Sequence, residues 1–283
     1  MKVSYYPGCS LHGTALEYEE STRAVCKMLG IELQELSDWN CCGASSAHST
    51  NEALAIALPA RNLATAERVG LDLVIPCAAC FQRFKVAEKH IKEGAEPVID
   101  TPYQGKVPIK HLLDFLCEEG VLKLIKQKVK ISLKGLKTVC YYGCLTVRPP
   151  RVTDALNCEN PQAMDELMAL LGAKNCPWSY KTDCCGGGLM LSRTDIVVRL
   201  SGKLLQMAKE AGADCIVTAC PLCQANLDTR QAEVSKTLGK NTHIPIFYFT
   251  ELLGLALGSG EAGQWLKRHI VDPRTLLKAY NLL

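Results

Sequence analysis

Apolar and polar positions along this chain follow two rhythms in turn. Short apolar runs, KVSYY (2–6), LDLVIP (71–76), KTVCYY (137–142) and CIVTA (215–219), read as strands. Between them the period lengthens to that of helices. EYEESTRAVCKML (17–29) reads as a helix opened by a Thr14/Glu17 capping box and closed by Gly30. QAMDELMALLG (162–172) follows Asn160-Pro161, with proline expected at the first helical position. Two longer helices are expected over 51–70 and 194–212. Strand alternating with helix predicts parallel βαβ units, whose functional residues gather at the carboxyl ends of the strands.

The pattern occurs twice. YYPGC (5–9), CCG (41–43) and CAAC (77–80) return as YYGC (141–144), CCG (184–186) and CPLC (220–223). Thirty-four residues separate Cys42 from Cys77, and 34 separate Cys185 from Cys220. The similarity extends to VPIKHLLDFL (107–116) and IPIFYFTELL (244–253). The chain is thus a duplicated unit, divided as 1–130 and 131–283.

Composition narrows the possibilities. A net charge of +3, with no long run of like charges, gives no reason to expect nucleic acid. No apolar stretch approaches the length of a membrane span, and the N-terminal MKVSYYPGCS lacks the apolar core of a secretion signal. A cytoplasmic protein is expected. Sixteen cysteines in that compartment point to metal ligation or redox chemistry, not to a disulfide framework.

Ten cysteines recur in register: Cys9, Cys41, Cys42, Cys77 and Cys80, then Cys144, Cys184, Cys185, Cys220 and Cys223. All ten are expected at strand ends. Neighbouring cysteines cannot pair without strain. Five thiols exceed the four that a zinc ion or an ordinary [4Fe–4S] cube requires, so one is idle or one bridges two metals. The glycines behind each pair, Gly43 and Gly186 to Gly188, allow close backbone approach and aim N–H groups at the site. Cys26, Cys117, Cys158, Cys176 and Cys215 have no counterpart in the other unit and read as small apolar residues; Cys140 yields to Cys144 in the alignment.

Two copies of Cys-x(31–39)-Cys-Cys-Gly-x(34)-Cys-x-x-Cys, with little else, resemble the CCG domains of the heterodisulfide reductase B subunit family. The resemblance implies two non-cubane [4Fe–4S] clusters held by those ten cysteines, with disulfide cleavage between them. It implies electrons from two partner proteins, the ferredoxin-like C subunit and the flavin-bearing A subunit of the same complex. In methanogens the substrate is the heterodisulfide of coenzymes M and B. Where such members commonly carry a histidine after the first cysteine of the second motif, this chain has Leu145. His12 is the substitute proton donor expected here, with Tyr5, Tyr6, Tyr141 and Tyr142 as further donors. The loop 143–154 should line a cavity shared by two units related by a pseudo-two-fold axis. In it, Arg148 and Arg151 are candidates to hold an anionic substrate group. The competing readings are a CCG electron-transfer subunit of a lactate, glycolate or succinate oxidoreductase, and a zinc or redox-sensing protein.

Overall fold

The computed structural model describes all 283 residues. Strands β1 (Lys2–Tyr5), β2 (Glu32–Glu35), β3 (Leu73–Ile75) and β4 (Ile109–His111) form one sheet. Strands β5 (Lys137–Tyr141), β6 (Lys174–Asn175), β7 (Cys215–Thr218) and β8 (Ile246–Tyr248) form another. Their orders correspond, β2-β1-β3-β4 and β6-β5-β7-β8, and every pairing is parallel. The expected α/β duplication is therefore the fold. Parallel strands need crossovers, and helices supply them.

The long helices fall where the periodicity put them, at Leu16–Leu29, Glu52–Val69 and Thr194–Glu210. Gly30 and Gly70 close the first two in left-handed conformations that a side chain would strain. Two expected helix starts differ. Ala15, not Thr14, is the N-cap of Leu16–Leu29, and no side chain caps it. Glu17 is instead drawn into the interior, 5% exposed. Pro161 lies outside helix Ala163–Leu170, where its carbonyl accepts a hydrogen bond from the buried Lys181 ammonium.

The two halves share their largest core. It joins Val3, Tyr18 and Val25 of the first half to Phe247, Phe249, Leu253 and Trp265 of the second, whereas each half has only a smaller apolar cluster of its own. Helix Leu16–Leu29 packs on helix Phe249–Ala256 through this core. Tyr18 stacks flat on Tyr248 at 4.1 Å, and Ser21 Oγ meets Thr250 Oγ1 at 2.7 Å. Each large side chain fully buried there contributes roughly 1.5–3 kcal/mol.

Gly254 is where these helices come closest to Trp265. A Cβ there would lie 2.7 and 2.9 Å from the indole ring. Overpacking costs about 1–3 kcal/mol, and alanine regains only about 1 kcal/mol of helix propensity. Gly254→Ala is therefore expected to lower stability, measured as a lower denaturant midpoint with an unchanged slope.

A buried ion pair ties the C-terminal segment to this interface. Glu251 Oε1 lies 2.8 Å from His269 Nε2, and Glu251 Oε2 accepts the Tyr248 backbone N–H. Burial alone would lower the His269 pKa from 6.5, but the charge and hydrogen bond of Glu251 outweigh it and hold it at about 9. A raised folded-state pKa contributes stability that is complete below about pH 6.5 and lost as pH rises through 9. The stability difference between wild type and His269→Gln should therefore shrink by about 3 kcal/mol from pH 6 to pH 10, read by denaturation at each pH.

Candidate metal centre

All ten recurring cysteines lie beyond the carboxyl ends of the strands. Cys9 follows β1 and Cys77 follows β3; Cys144 follows β5 and Cys220 follows β7. Cys77 and Cys220 are the N-caps of helices Ala78–Lys92 and Pro221–Thr229, whose positive ends favour thiolate. The last cysteine of each motif, Cys80 or Cys223, lies in the first turn of the same helix.

The thiols form two sets. In the first, the Cys42 and Cys80 sulfurs are 3.1 Å apart, Cys9 hydrogen-bonds to Cys41, and Cys77 to Cys80. In the second, Cys185 and Cys223 are 3.6 Å apart, Cys144 hydrogen-bonds to Cys184, and Cys220 to Cys223. The glycine N–H groups behind the cysteine pairs point at sulfur: Gly43 to Cys41 at 3.4 Å and Gly186 to Cys184 at 3.3 Å. Gly188, by contrast, has open space around it.

Each set rests on a tyrosine ring. The Tyr6 hydroxyl donates to the Asn40 carbonyl at 2.9 Å, and the Tyr141 hydroxyl to the Asp183 carbonyl at 2.7 Å, each just before a cysteine pair. Tyr6 thus matches Tyr141, one residue out of step with aligning the two Tyr-Tyr pairs on their first tyrosines. Tyr5 and Tyr142 turn away, donating to Glu19 and Asp165.

Glycines that sequence reasoning passed over shape the site more than those it chose. Gly8 and Gly143 have φ of +73° and +71°, and a Cβ on them would lie 3.2 Å from Cys80 Sγ and 2.9 Å from Cys223 Sγ. Their recurrence before the first cysteine of each motif was the available signal.

The acid–base balance within each set is uneven. Hydrogen bonds from Cys42 and Cys9 hold the Cys41 thiol at about 2, while Cys42 is pushed up to about 12, chiefly by its bond to Cys41. The Cys144 hydrogen bond, opposed by burial and aided by the Gly186 and Gly187 N–H groups, lowers Cys184 to about 6. Bonds from Cys223 and Cys77 lower Cys220; Cys77 is raised chiefly by Cys220, and Cys223 chiefly by Cys185 and then by Cys220. Five adjacent sulfurs cannot all ionise unless positive charge lies among them. An all-sulfur donor set, glycine-lined and supplied with N–H donors, fits an iron–sulfur group.

The sets meet. The Cys77 thiol of the first lies close enough to Cys220 of the second for each to shift the other's acidity. Tyr18 Oη lies 3.2 Å from the Pro76 carbonyl and 3.4 Å from that of Ala219, the residues just before them. His111 Nε2 is 3.1 Å from the same Pro76 carbonyl. Contact between equivalent residues is what a pseudo-two-fold axis between the halves requires. Neither Tyr18 nor His111 was expected from sequence, because their role exists only once the halves pack.

The other expected residues fall as follows. His12 faces Glu35 at 3.3 Å and the edge of Trp39. Its approach to Glu19 and Glu35 resembles a cation site, but the Arg23 guanidinium already bridges both carboxylates. Leu145 packs against the apolar clusters of both halves. The loop 143–154 contributes Thr146, Val147, Thr153 and Asp154 to a cavity of about 460 Å³ that His111 and Asp114 also line, but none of the ten recurring cysteines does. Its arginines are not in that wall. Arg148 bonds to Glu159 and Thr182, and Arg151 is exposed, its carbonyl accepting from Lys89. The six remaining cysteines lie outside both sets; Cys140, for example, has Asn175 as its nearest polar partner, at 4.0 Å.

The profile described as "Cysteine-rich domain" (CCG) matches residues 3–85 and 138–228, one match per half and together more than half of the chain. The chain belongs to the CCG family. With both matches and about 30% identity over most of its length to B subunits, it falls in the heterodisulfide reductase B subunit family. It is 30% identical over 269 residues to the B subunit of the ferredoxin:CoB-CoM heterodisulfide reductase of Methanosarcina mazei, covering 91% of this chain and 89% of that one. It is also 30% identical over 282 residues to the 8-methylmenaquinol:fumarate reductase membrane anchor subunit of Wolinella succinogenes, covering 97% and 99%. Among solved structures, a hypothetical protein from Helicobacter pylori shares the fold at a TM-score of 0.77 and 12% identity. The structural match covers 96% of this chain but about half, 52%, of that one. No helix in the present chain is long and apolar enough to cross a membrane.

Proposed function

We propose that this CCG protein is the catalytic iron–sulfur subunit of a heterodisulfide reductase-type complex, with one non-cubane [4Fe–4S] cluster on each thiol set. The observation that carries this reading is the contact between Cys77 and Cys220, which makes the two sets neighbours at one junction. A disulfide's sulfurs are only about 2 Å apart, so a site that handles both must converge in this way. When bound, the clusters supply one electron each. The protein's part is to hold the ten thiolates, with the N–H groups of Gly43 and Gly186 and the rings of Tyr6 and Tyr141 fixing their geometry. His12 remains a proposed proton donor, and Arg151 the cation available to an anionic substrate group beside the more committed Arg148. The proposed partners are the ferredoxin-like C subunit and the flavin-bearing A subunit, in the cytoplasm.

A second reading has its own support, the match over nearly both full lengths to the fumarate reductase membrane anchor subunit. In it the chain passes electrons within a fumarate- or succinate-type oxidoreductase.

Anaerobic reconstitution should give about eight irons and eight sulfides per chain. The oxidised protein should then develop a new EPR signal when coenzyme M or coenzyme B thiol is added. Reduction by a quinol analogue, with no spectral response to either thiol, would instead favour the second reading.

A further inference from the structure

The two thiol sets correspond sulfur for sulfur, but not in the groups that approach the sulfurs. Helix Pro221–Thr229 carries Cys223 in its first turn and Asn226 three residues further on. The equivalent position after Cys80 is Arg83. Arg83 donates from both Nε and Nη2 to the side-chain carbonyl of Gln82, and no hydrogen bond joins it to a sulfur. Asn226 serves the second set instead. Its amide nitrogen lies 3.2 Å from the Cys185 carbonyl oxygen and 3.8 Å from Cys185 Sγ. No other side-chain N–H group bonds to any of the ten sulfurs.

Three features set this bond apart from a plain backbone anchor. The Cys185 carbonyl already accepts from Ser201 Oγ at 3.3 Å, so it does not depend on the amide alone. Asn226 is fully buried, and its Oδ1 has no hydrogen-bond partner. A buried acceptor left unpaired is destabilising, and native proteins keep few of them. The amide cannot turn over to relieve it, because a carbonyl and a ligand thiolate both only accept. The helix is also held in place: Asp228, two residues on, accepts the backbone N–H groups of Ile270 and Val271. The amide is therefore fixed against Cys185 while its own oxygen stays unpaired.

An N–H group on a ligand sulfur draws charge from it. The reduced form of an iron–sulfur group carries one more negative charge than the oxidised form. It gains more from such a donor, and the reduction potential rises.

We propose that Asn226 sets the reduction potential of the second thiol set, through a sulfur hydrogen bond that the first set lacks. This rests on the reading that each set holds an iron–sulfur group. Asn226 is a positioning residue: it touches a ligand, not the substrate. In the assay dithionite, through redox mediators, loses one electron, and the group gains it as negative charge. The halves match in their ligands and differ in what tunes them.

The test is a potentiometric titration of the reconstituted protein, followed by EPR. The signal of the second set is the one absent from Cys185→Ser. In Asn226→Ala its reduced-to-oxidised ratio at a fixed potential should fall about tenfold, or about 59 mV for one electron. Iron content and the potential of the first set should not change. Asn226→Asp keeps the shape but puts an acceptor where the donor was, and its fall should be at least as large. Ser201→Ala removes the other bond to the Cys185 carbonyl and spares the sulfur bond, so the potential should hold. Wild-type potentials in Asn226→Ala overturn the proposal. So does an equal fall in Ser201→Ala, which would trace the effect to the carbonyl. If Asn226→Ala loses iron, a second readout decides: in Cys42→Ser, which keeps the second set alone, pulsed EPR should show coupling to nitrogen-15-labelled asparagine. No coupling overturns the proposal. Wild type that binds only about four irons refutes the two-group reading and the proposal with it, whereas unchanged potentials at about eight irons refute the proposal alone.

Discussion

Cys185→Ser is expected to remove the iron of the second thiol set and spare the first. Iron should fall from about eight atoms per chain to about four, and the remaining EPR signal should be that of a single centre. The expectation follows from the separateness of the sets. Cys185 contacts Cys223 at 3.6 Å within its own half, and the only thiol contact between sets is Cys77 with Cys220. The fold should survive, because the Cys185 carbonyl is anchored by Ser201 and Asn226, bonds that a change of side chain leaves in place. Disulfide turnover should drop by about a hundredfold or more, since one missing centre leaves one sulfur without its electron. Cys215→Ser is the control: that thiol is buried beside the Lys137 carbonyl, away from both sets, and iron should stay unchanged. Unaltered iron and spectra in Cys185→Ser would refute five-cysteine ligation in the second half.

Gly143→Ala should be nearly as damaging although it removes no ligand. The added carbon would lie 2.9 Å from Cys223 Sγ, closer than real contacts allow, on a backbone with φ of +71°. Left-handed backbone alone costs about 1–2 kcal/mol for a residue with a Cβ. The sulfur must move or the loop must open, and either spoils the geometry at that set. Gly8→Ala, with its nearest contact at 3.2 Å, should be milder, and Gly188→Ala, with nothing within 4 Å, should be silent. Iron retention after gel filtration, measured across the three variants, checks the order. Equal retention in Gly143→Ala and Gly188→Ala would mean that the close approach has no part in holding the group.

Much of this arrangement was legible in the chain. The duplication, the parallel sheets and the position of all ten cysteines beyond strand ends follow from spacing, because equal spacing on equal βαβ units must return residues to equivalent places. What was not legible is mostly non-local. Glu17 looks like half of a capping box, yet the core formed with the second half draws it inward. Pro161 looks like a helix start, yet it serves as an acceptor for Lys181. Arg148 looks free in a proline-rich loop, yet Glu159 and Thr182 occupy it. The pairing of Tyr6 with Tyr141 is hidden by a one-residue offset that only the hydrogen bonds to Asn40 and Asp183 resolve.

The meeting of Cys77 with Cys220 has a historical consequence. Before the two halves were fused they would have been identical subunits, and the same contact would have joined a cysteine to its own copy across an exact dimer axis. Every substitution in that ancestor appeared twice, so neither side of the junction was able to specialise. Fusion lifted that restriction. The position at the end of β4 is now His111 and its counterpart at the end of β8 is Tyr248, with Asp114 and Glu251 three residues further on. One side of the junction touches its carbonyl through an imidazole, while the other keeps a phenol with no protein partner. A junction encoded by two copies in one chain is free to grow two unlike sides, one substitution at a time.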